Sequence, residues 1–515
     1  MATSQDRNLT LTVKDFGPIY SAEVELRPLT VFVGPSNTGK SYLAILIYAL
    51  HKFFNSHKRE KPSYFYHSSY SSSSSLINES VISEKNIMHL IDEADKIVSQ
   101  VNGDSLIPLT DEITSLIRAL FSNFLPDDDL AGEIMRCFGI DETRRLIRHG
   151  SKKSTEVALS SKMSDLPEAA YNYNELYKFA IKKESFTATI PNTAPLQTGK
   201  DAIEKYIQAT FEIKMGSGQK RAHNKERNYF VTELIDGLSE IIASYFANPI
   251  SQPAHYLPAD RTGVMHAHKV VVGSLVQGAS RAGLYPTRAL PVLSGVVADF
   301  IEQLLELGDL SSGGKRLNEN LTQRLEKEIL RGAIRIENSV TGYPVFSYQP
   351  TGWKEDMQLM NTSSMVSELA PVVLYLRHVV SPGEVLIIEE PESHLHPGMQ
   401  VEFIRHLAAA VRSGIRIIIT THSEWVLEEL ANLVRLSELS ESDRNGIGGA
   451  DYALSPDQVG TWLFEPKKRP RGSIVKEIPL DVDYGGFRSD YDDVAIGTHN
   501  DWATIGNRIV EREHE

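Results

Sequence analysis

Cysteine is almost absent from this 515-residue chain, which has only Cys137. One thiol cannot close an intrachain disulfide, and a zinc site built on several cysteines cannot form within one chain. That usage suits a reducing compartment, so the expected location is the cytoplasm. Long apolar runs are also missing. The longest, such as Leu43–Leu50, fall far short of the roughly 20 residues that a membrane span needs, so no membrane partner is expected. The opening MATSQDRNLTLTVKDF has no basic flank leading into an apolar run and does not read as a secretory signal. Positive charge is not in excess either. The net charge is −14, which argues against a surface coated for non-specific nucleic-acid binding but leaves room for a local basic groove. No internal repeat stands out. What remains is ordinary globular composition, 41% hydrophobic and 23% charged, with length enough for more than one domain.

Leu9–Val13 alternates and Leu29–Val33 (LTVFV) is mostly β-branched or aromatic, so both read as strands. The second runs into GPSNTGKS, Gly34–Ser41, and then YLAILIYALHKFF, which reads as a buried helix. From about residue 55 the character changes. HSSYSSSSS, residues 67–75, is a low-complexity polar tract. Residues 81–100 and 106–124 have helical spacing, residues 144–183 and 200–213 are mixed but mostly helical in flavour, 216–228 is a basic loop, and 230–247 is helical again. Strand character returns at AHYLPADR, Ala254–Arg261. A helical block follows over about 288–331, then a strand pair at Ala333–Ile336 and Val345–Tyr348. Trp462–Phe464 is a candidate for one more strand.

GPSNTGKS fits Gly, four residues, Gly-Lys-Ser, between a strand and a helix. In such a loop the backbone N–H groups of Gly34, Pro35, Ser36, Asn37, Thr38 and Gly39, proline excepted, wrap a β-phosphate. The helix N-terminus adds positive potential, Lys40 reaches the β- and γ-phosphates, and Ser41 ligates Mg²⁺. VLIIEE, Val385–Glu390, is an apolar strand ending in acids, the form expected for the strand that holds magnesium and the attacking water. Glu389 takes the magnesium-facing position, where aspartate is more usual, and Glu390 that of the carboxylate that polarises water. Neighbouring strand residues point to opposite faces unless the strand is ending, so both carboxylates belong at the strand's C-terminal rim. In IRIIITTHS, His422 at a third strand tip can hydrogen-bond a γ-phosphate while neutral. The plainer reading is a polar strand–helix turn with Ser423 as N-cap.

NLTLTVKDFGPI, GPSNTGKS, NTSSMVSELAPVVLYL, VLIIEEPESHLHP and IIITTHS follow one another in that order. Together they resemble ABC-type ATPases of the SMC, RecF and OLD-like group, over about half the chain. The resemblance implies an α/β, ABC-type P-loop ATPase head with a large inserted helical domain, using ATP and Mg²⁺. It places Ser363 and Ser364 in the signature segment, where Ser363 would contact the γ-phosphate bound by the other subunit. Met365 stands where the family has glycine, which narrows the approach to phosphate. The plainer alternative is that Ser363 and Ser364 simply cap the helix that follows. Ser393–His396 resembles a segment at the family's dimer interface, so His394 and His396 are expected there rather than on zinc, which would want further converging ligands. Asp260 and Arg261 fall about where the family has a loop between lobes.

The implied organisation is 1–54, the first part of the head; 55–250, the mainly helical insertion; 251–440, the rest of the head; and 441–515, a C-terminal extension that offers a partner-binding segment. Lys40 and Ser363 lie 363 − 40 = 323 residues apart, which requires the insertion. Its helical segments are short and carry no sustained heptads, so a compact lever is expected in place of a coiled coil. After His422 only 515 − 422 = 93 residues remain, too few for the nuclease domain of OLD-like proteins, so an effector nuclease would be a separate partner. This resembles the stand-alone ATPase subunits of two-component antiphage systems such as PARIS and Septu, with a head-to-head pair of this chain sensing a viral trigger protein. The alternative is a RecF-type DNA-repair ATPase that clamps DNA, for which Lys220, Arg221, Lys225 and Arg227 offer a thin basic loop. The motor subunit of a transporter ranks last, for want of a span.

Overall fold

The structure is a computed structural model. It describes residues 8–59, 107–108, 127–151, 154–161, 174–183, 185–189, 197–198, 250–267, 270–271, 273, 293–308, 317–338, 344–481, 486–487, 500 and 502. The chain divides into two compact units: Val13–Tyr48, Met135–Thr155 and Ala254–Glu515 form one, and Met1–Thr12, Ala49–Ile134 and Glu156–Pro253 form the other. In chain order the elements are β1 (Leu9–Phe16), β2 (Ile19–Leu26), β3 (Leu29–Val33), α1 (Lys40–Arg59), α2 (Asp127–Phe138), β4 (Thr155–Ser161), β5 (Asn174–Ile181), β6 (Phe186–Thr189) and β7 (Ala254–Leu257). They continue with α3 (Gly295–Glu306), α4 (Glu319–Leu325), β8 (Gly332–Asn338), β9 (Pro344–Pro350), α5 (Ser364–His378), β10 (Val385–Glu389), α6 (Pro397–Arg412), β11 (Arg416–Thr421), α7 (Glu424–Leu436), β12 (Val459–Lys468) and β13 (Arg471–Glu477).

In the larger unit the strands lie in the order β2–β13–β12–β3–β11–β10–β7. The pairs β12/β3, β3/β11, β11/β10 and β10/β7 are all parallel. Every residue of β3 and β10 is buried, as a parallel strand covered on both faces requires, and this explains why LTVFV and VLIIE show no polar alternation. The register aligns the strand ends. Val33 sits opposite Thr421 on one side and Leu463 on the other, Glu389 opposite Thr420, and Ile388 opposite Leu257. The segments after Val33, Thr421, Glu389 and Leu257 therefore leave the sheet along one edge, where an open α/β sheet presents its ligands. One apolar core joins strand residues such as Val31, Ile388 and Ile417 to Phe300, Val373, Leu407 and Leu430 from α3, α5, α6 and α7.

Several local expectations are corrected. Residues 155–161 and 174–181 are strands, not helix, and β5 pairs antiparallel with β6. Thr155–Leu159 alternates buried and half-buried residues, a period-2 pattern that short polar interruptions mask. Ile107–Pro108, read as helical, pairs with Gln197–Thr198. The strand at Ala254 stops at Leu257, because Pro258 cannot donate to a ladder. The candidate strand at Trp462 is the ten-residue β12, which forms an antiparallel hairpin with β13. This hairpin lies between β2 and β3, so residues assigned to a C-terminal extension are interior strands of the large sheet. The expected strand pair at 333–336 and 345–348 is present as β8 and β9. The readings over 67–75, 81–100, 109–124, 200–213, 216–228 and 230–247 lie outside the described residues. Among the described residues no helix is long and apolar enough to cross a membrane.

Candidate active site

The loop after β3 is shaped by two glycines. Gly34 has φ +133°, and a Cβ there would meet the Phe464 carbonyl oxygen at 2.7 Å; Gly39 has φ +104°, and a Cβ there would meet Ile19 Cγ1 at 2.8 Å. Both the backbone conformation and the space exclude a side chain. Lys40, 6% exposed, opens α1. Its ammonium donates to the carbonyls of Gly34 at 2.8 Å and Pro35 at 2.9 Å. Thr38 Oγ1 donates to the Pro35 carbonyl at 2.8 Å, and Ser473 on β13 donates to the Thr38 carbonyl. The loop thus curls around a cation at the head of a 20-residue helix with no acid in its first turn. That arrangement attracts anions. Ser36, Asn37 and Ser41 are exposed on it.

Glu389 is the last residue of β10 and is buried at 8% exposure. Its Oε2 accepts from the Ala259 backbone N–H at 3.1 Å. Its Oε1 is buried with no hydrogen-bond partner among the described residues. The Tyr256 hydroxyl lies near enough for this carboxylate to help burial push its pKa well above the ordinary phenol value. By distance and angle, however, that hydroxyl makes no hydrogen bond among the described residues. A buried carboxylate oxygen with an unused lone pair is what an oxygen-seeking divalent cation requires. Glu389 thus offers one oxygen of the kind such a cation takes.

Glu390 turns out of the strand at φ +42°, a left-handed conformation that only local bonding makes tolerable for a side-chain-bearing residue. Its N–H donates to the Thr420 carbonyl at 2.9 Å, so the ladder with β11 continues to this residue. The turn changes the direction of the side chain relative to Glu389. The Glu390 carboxylate is half-exposed, with Oε1 3.6 Å from His422 Nε2 and Oε2 3.5 Å from Ser393 Oγ. Glu389 and Glu390 are thus separated into a buried carboxylate and an accessible one.

His422 follows β11, and Glu392 holds it. Glu392 Oε1 accepts from the His422 backbone N–H at 2.7 Å and from Thr421 Oγ1 at 2.8 Å. Burial raises the Glu392 pKa; these two hydrogen bonds oppose the rise and neighbouring Glu390 adds to it. Ser423 is the N-cap of α7, with Oγ accepting from the Val426 N–H. The plainer reading of that turn is therefore correct for Ser423, while His422 faces Glu390. The role of Glu392 was not assigned from sequence; the signal was a third acid immediately after the glutamate pair and proline.

Arg261, placed only loosely from sequence in a loop between lobes, is fully buried. It donates to the carbonyls of Glu389 at 2.7 Å, Glu390 and Pro258 at 3.3 Å, and Glu368 at 3.1 Å, and pairs with Glu368 Oε1 at 3.1 Å. Burial lowers its pKa, and four surrounding glutamates, Glu368 foremost, oppose that change. Glu368 was also missed; it is a lone acid in an apolar helical run.

Ser363 is the N-cap of α5, its Oγ accepting from Val366 N–H at 3.4 Å. Among the described residues its hydrogen-bond partners all lie in that helix, and none is in the loop or at Glu389, Glu390 or His422. Ser363 and Ser364 are exposed at the helix start. Met365 is half-buried and packs against the apolar core, so its side chain is drawn into its own subunit. His394 is exposed at φ +60°. His396 is the N-cap of α6, with Nδ1 accepting from Gly398 N–H.

Comparison with known proteins can now be set beside this geometry. Residues 299–427 match the AAA ATPase domain family. That stretch holds Ser363, Glu389, Glu390 and His422; the Gly34–Ser41 loop lies outside it. Similar solved structures include an SMC head bound to the C-winged helix domain of ScpA (TM-score 0.38, 11% identity, covering 92% of this chain and 98% of that one). Others are the SMC head domain of Thermotoga maritima (0.33, 11%, 92% and 99%) and a Pyrococcus furiosus Smc head with an extended coiled coil bound to the C-terminal domain of ScpA (0.35, 11%, 93% and 97%). At these values they assign no residue and no partner to this chain. No curated protein matches it. The fold is α/β, with one large sheet to which the N-terminal strands, the 254–257, 385–389 and 416–421 strands and the 459–477 hairpin all contribute.

Proposed function

We propose that this chain binds ATP and hydrolyses it to ADP and phosphate, and that the cycle serves as a switch controlling a separate effector. The observation that carries the hydrolysis is the division of the glutamate pair: a buried Glu389 with an unused oxygen beside an accessible Glu390 3.6 Å from His422. Ser41 and Glu389 would hold the magnesium, which supplies charge neutralisation at the β- and γ-phosphates. The loop N–H groups and Lys40 bind the phosphates. Glu390 accepts a hydrogen bond from the attacking water and takes its proton as the water oxygen bonds to the γ-phosphorus and the ADP oxygen leaves. His422 hydrogen-bonds the transferred phosphoryl oxygens, and Glu392 fixes its backbone while it does so. The test is phosphate release by the native chain, Lys40→Ala and Glu390→Gln. Undiminished release by both variants would end this reading.

The finer role, an antiphage switch that senses a viral trigger and governs an effector such as a nuclease, rests on the EEPESHLHP motif style and on domain size. Its test is protection of cells from phage by the chain together with its neighbouring gene, with loss in Lys40→Ala. One observation favours the DNA-clamping alternative. The β12–β13 turn carries Lys467, Lys468, Arg469 and Arg471, none with an ion-pair partner among the described residues, on an otherwise acidic protein. DNA affinity that falls steeply with salt and is lost on charge reversal there would select that reading.

A further inference from the structure

We propose that Arg261 is a positioning residue for the hydrolytic step, tying the first turns of α5 to the two glutamates at the end of β10. The proposal rests on the ATPase reading of this site. A fully buried guanidinium is costly unless each donor is matched. Here Nε donates to the Glu368 carbonyl, Nη1 to the carbonyls of Pro258 and Glu389, and Nη2 to the Glu390 carbonyl, with Glu368 Oε1 as its counter-ion. Two of these acceptors are the backbones of the residues whose carboxylates do the chemistry.

The backbone at Glu390 needs such support. Its φ of +42° decides where the carboxylate points, and a bulky residue does not rest there unaided. The Thr420 carbonyl holds its N–H from one side, and Arg261 holds its carbonyl from the other. Ala259, two residues before Arg261, holds the Glu389 carboxylate itself. The segment 258–261 therefore grips both glutamates from the adjoining strand end.

The second arm reaches α5. Glu368 lies one turn beyond Ser363 and Ser364 and is 1% exposed. Its second oxygen accepts from Thr262 Oγ1, the neighbour of Arg261. A displacement of the α5 N-terminus is thus carried by one ion pair to the Glu390 carbonyl. A lysine could neutralise Glu368, but its compact ammonium cannot span the acceptors that the planar guanidinium meets.

A role in stability alone predicts a different outcome from a positioning role, and full-length variants separate them. Steady-state ATP hydrolysis, calorimetric ATP affinity and thermal unfolding would be measured for the native chain, Arg261→Lys, Glu368→Gln and the apolar pair Arg261→Met with Glu368→Leu. Lys40→Ala serves as the reference for lost binding. Arg261→Lys is expected to lower kcat about tenfold to a hundredfold, the scale of a misplaced catalytic group, with the ATP Kd within about twofold. Glu368→Gln moves kcat the same way and carries the test should Arg261→Lys not fold. The apolar pair, which replaces the buried ion pair by packing, leaves kcat low even where it restores the unfolding temperature. Native kcat in Arg261→Lys or Glu368→Gln would overturn the proposal. So would kcat and Kd that fall and recover together with thermal stability. A native chain that binds no ATP would overturn the ATPase reading itself, and the Arg261 proposal with it.

Discussion

On the proposed function, Lys40 and Glu390 divide binding from turnover. Lys40 is buried among loop carbonyls at the head of α1, so Lys40→Ala removes the cation that meets phosphate charge. Its ATP affinity should fall at least about a hundredfold by calorimetry, in line with a lost charge-assisted contact. Among the described residues Glu390 makes no hydrogen bond or ion pair with that loop. Glu390→Gln should bind ATP nearly as the native chain does and lose turnover by about 10²–10⁴, the contribution of a positioned general base. Glu392 offers a test through pH. Its pKa is raised by burial, so between the ordinary carboxylate value and the raised one the folded state holds a proton that the unfolded state lacks. The stability from this group is full below the ordinary value and is lost as pH rises through the raised one. Glu392→Gln keeps an acceptor for Thr421 and His422 and removes the titration. Urea unfolding at a series of pH values should then show a flatter profile for the variant across that window. At this scale the Gly34–Ser41 loop was legible, because its mechanics fix residue types at short spacing. Arg261 was not, because its acceptor at Glu389 lies 128 residues away and no local spacing encodes that distance.

The strands that build the edge were legible where burial on both faces leaves an unbroken apolar run, as in LTVFV and VLIIE. They were hidden where polar residues interrupt the pattern, as in β4, β5 and β13, and in β12 only Trp462–Phe464 of its ten residues was legible. That hairpin bears directly on the loop. Phe464 is fully buried, its ring packs edge-on against Phe32 at 5.5 Å, and its carbonyl closes the space at Gly34. Phe464→Ala should cost about 3–5 kcal/mol of stability, the range for emptying a buried aromatic site. It should also weaken ATP binding, because the strand that confines Gly34 loses its anchor. Urea denaturation with and without ATP measures both effects. A stability loss under about 1 kcal/mol would show that β12 is not the support described. The motif order in the sequence could not have shown this dependence, since β12 follows all of the recognisable motifs.

At the scale of the whole molecule, the groups proposed for binding and hydrolysis lie along one sheet edge, while Ser363 and Ser364 stand exposed at the start of α5, where Ser363 caps its own helix. The packing of Met365 into the core removes a side chain from the surface that a second nucleotide would approach. These two facts agree with a pair of chains in which the α5 N-terminus of one completes the phosphate site of the other. The expected behaviour is an assembly whose mass by light scattering rises or is stabilised with ATP and Mg²⁺. Glu390→Gln should hold it, because bound ATP persists, and Lys40→Ala should fail to form it. Met365→Gly separates packing from contact in that assembly: it gives up core packing and should lower the unfolding temperature, while leaving the ATP-dependent mass intact. Ser363→Arg places bulk and charge at the helix start and should abolish the mass change while ATP still binds to the separated chain. A mass that is the same for every variant, with and without nucleotide, would mean that Ser363 does no more than cap α5 and that each head works alone.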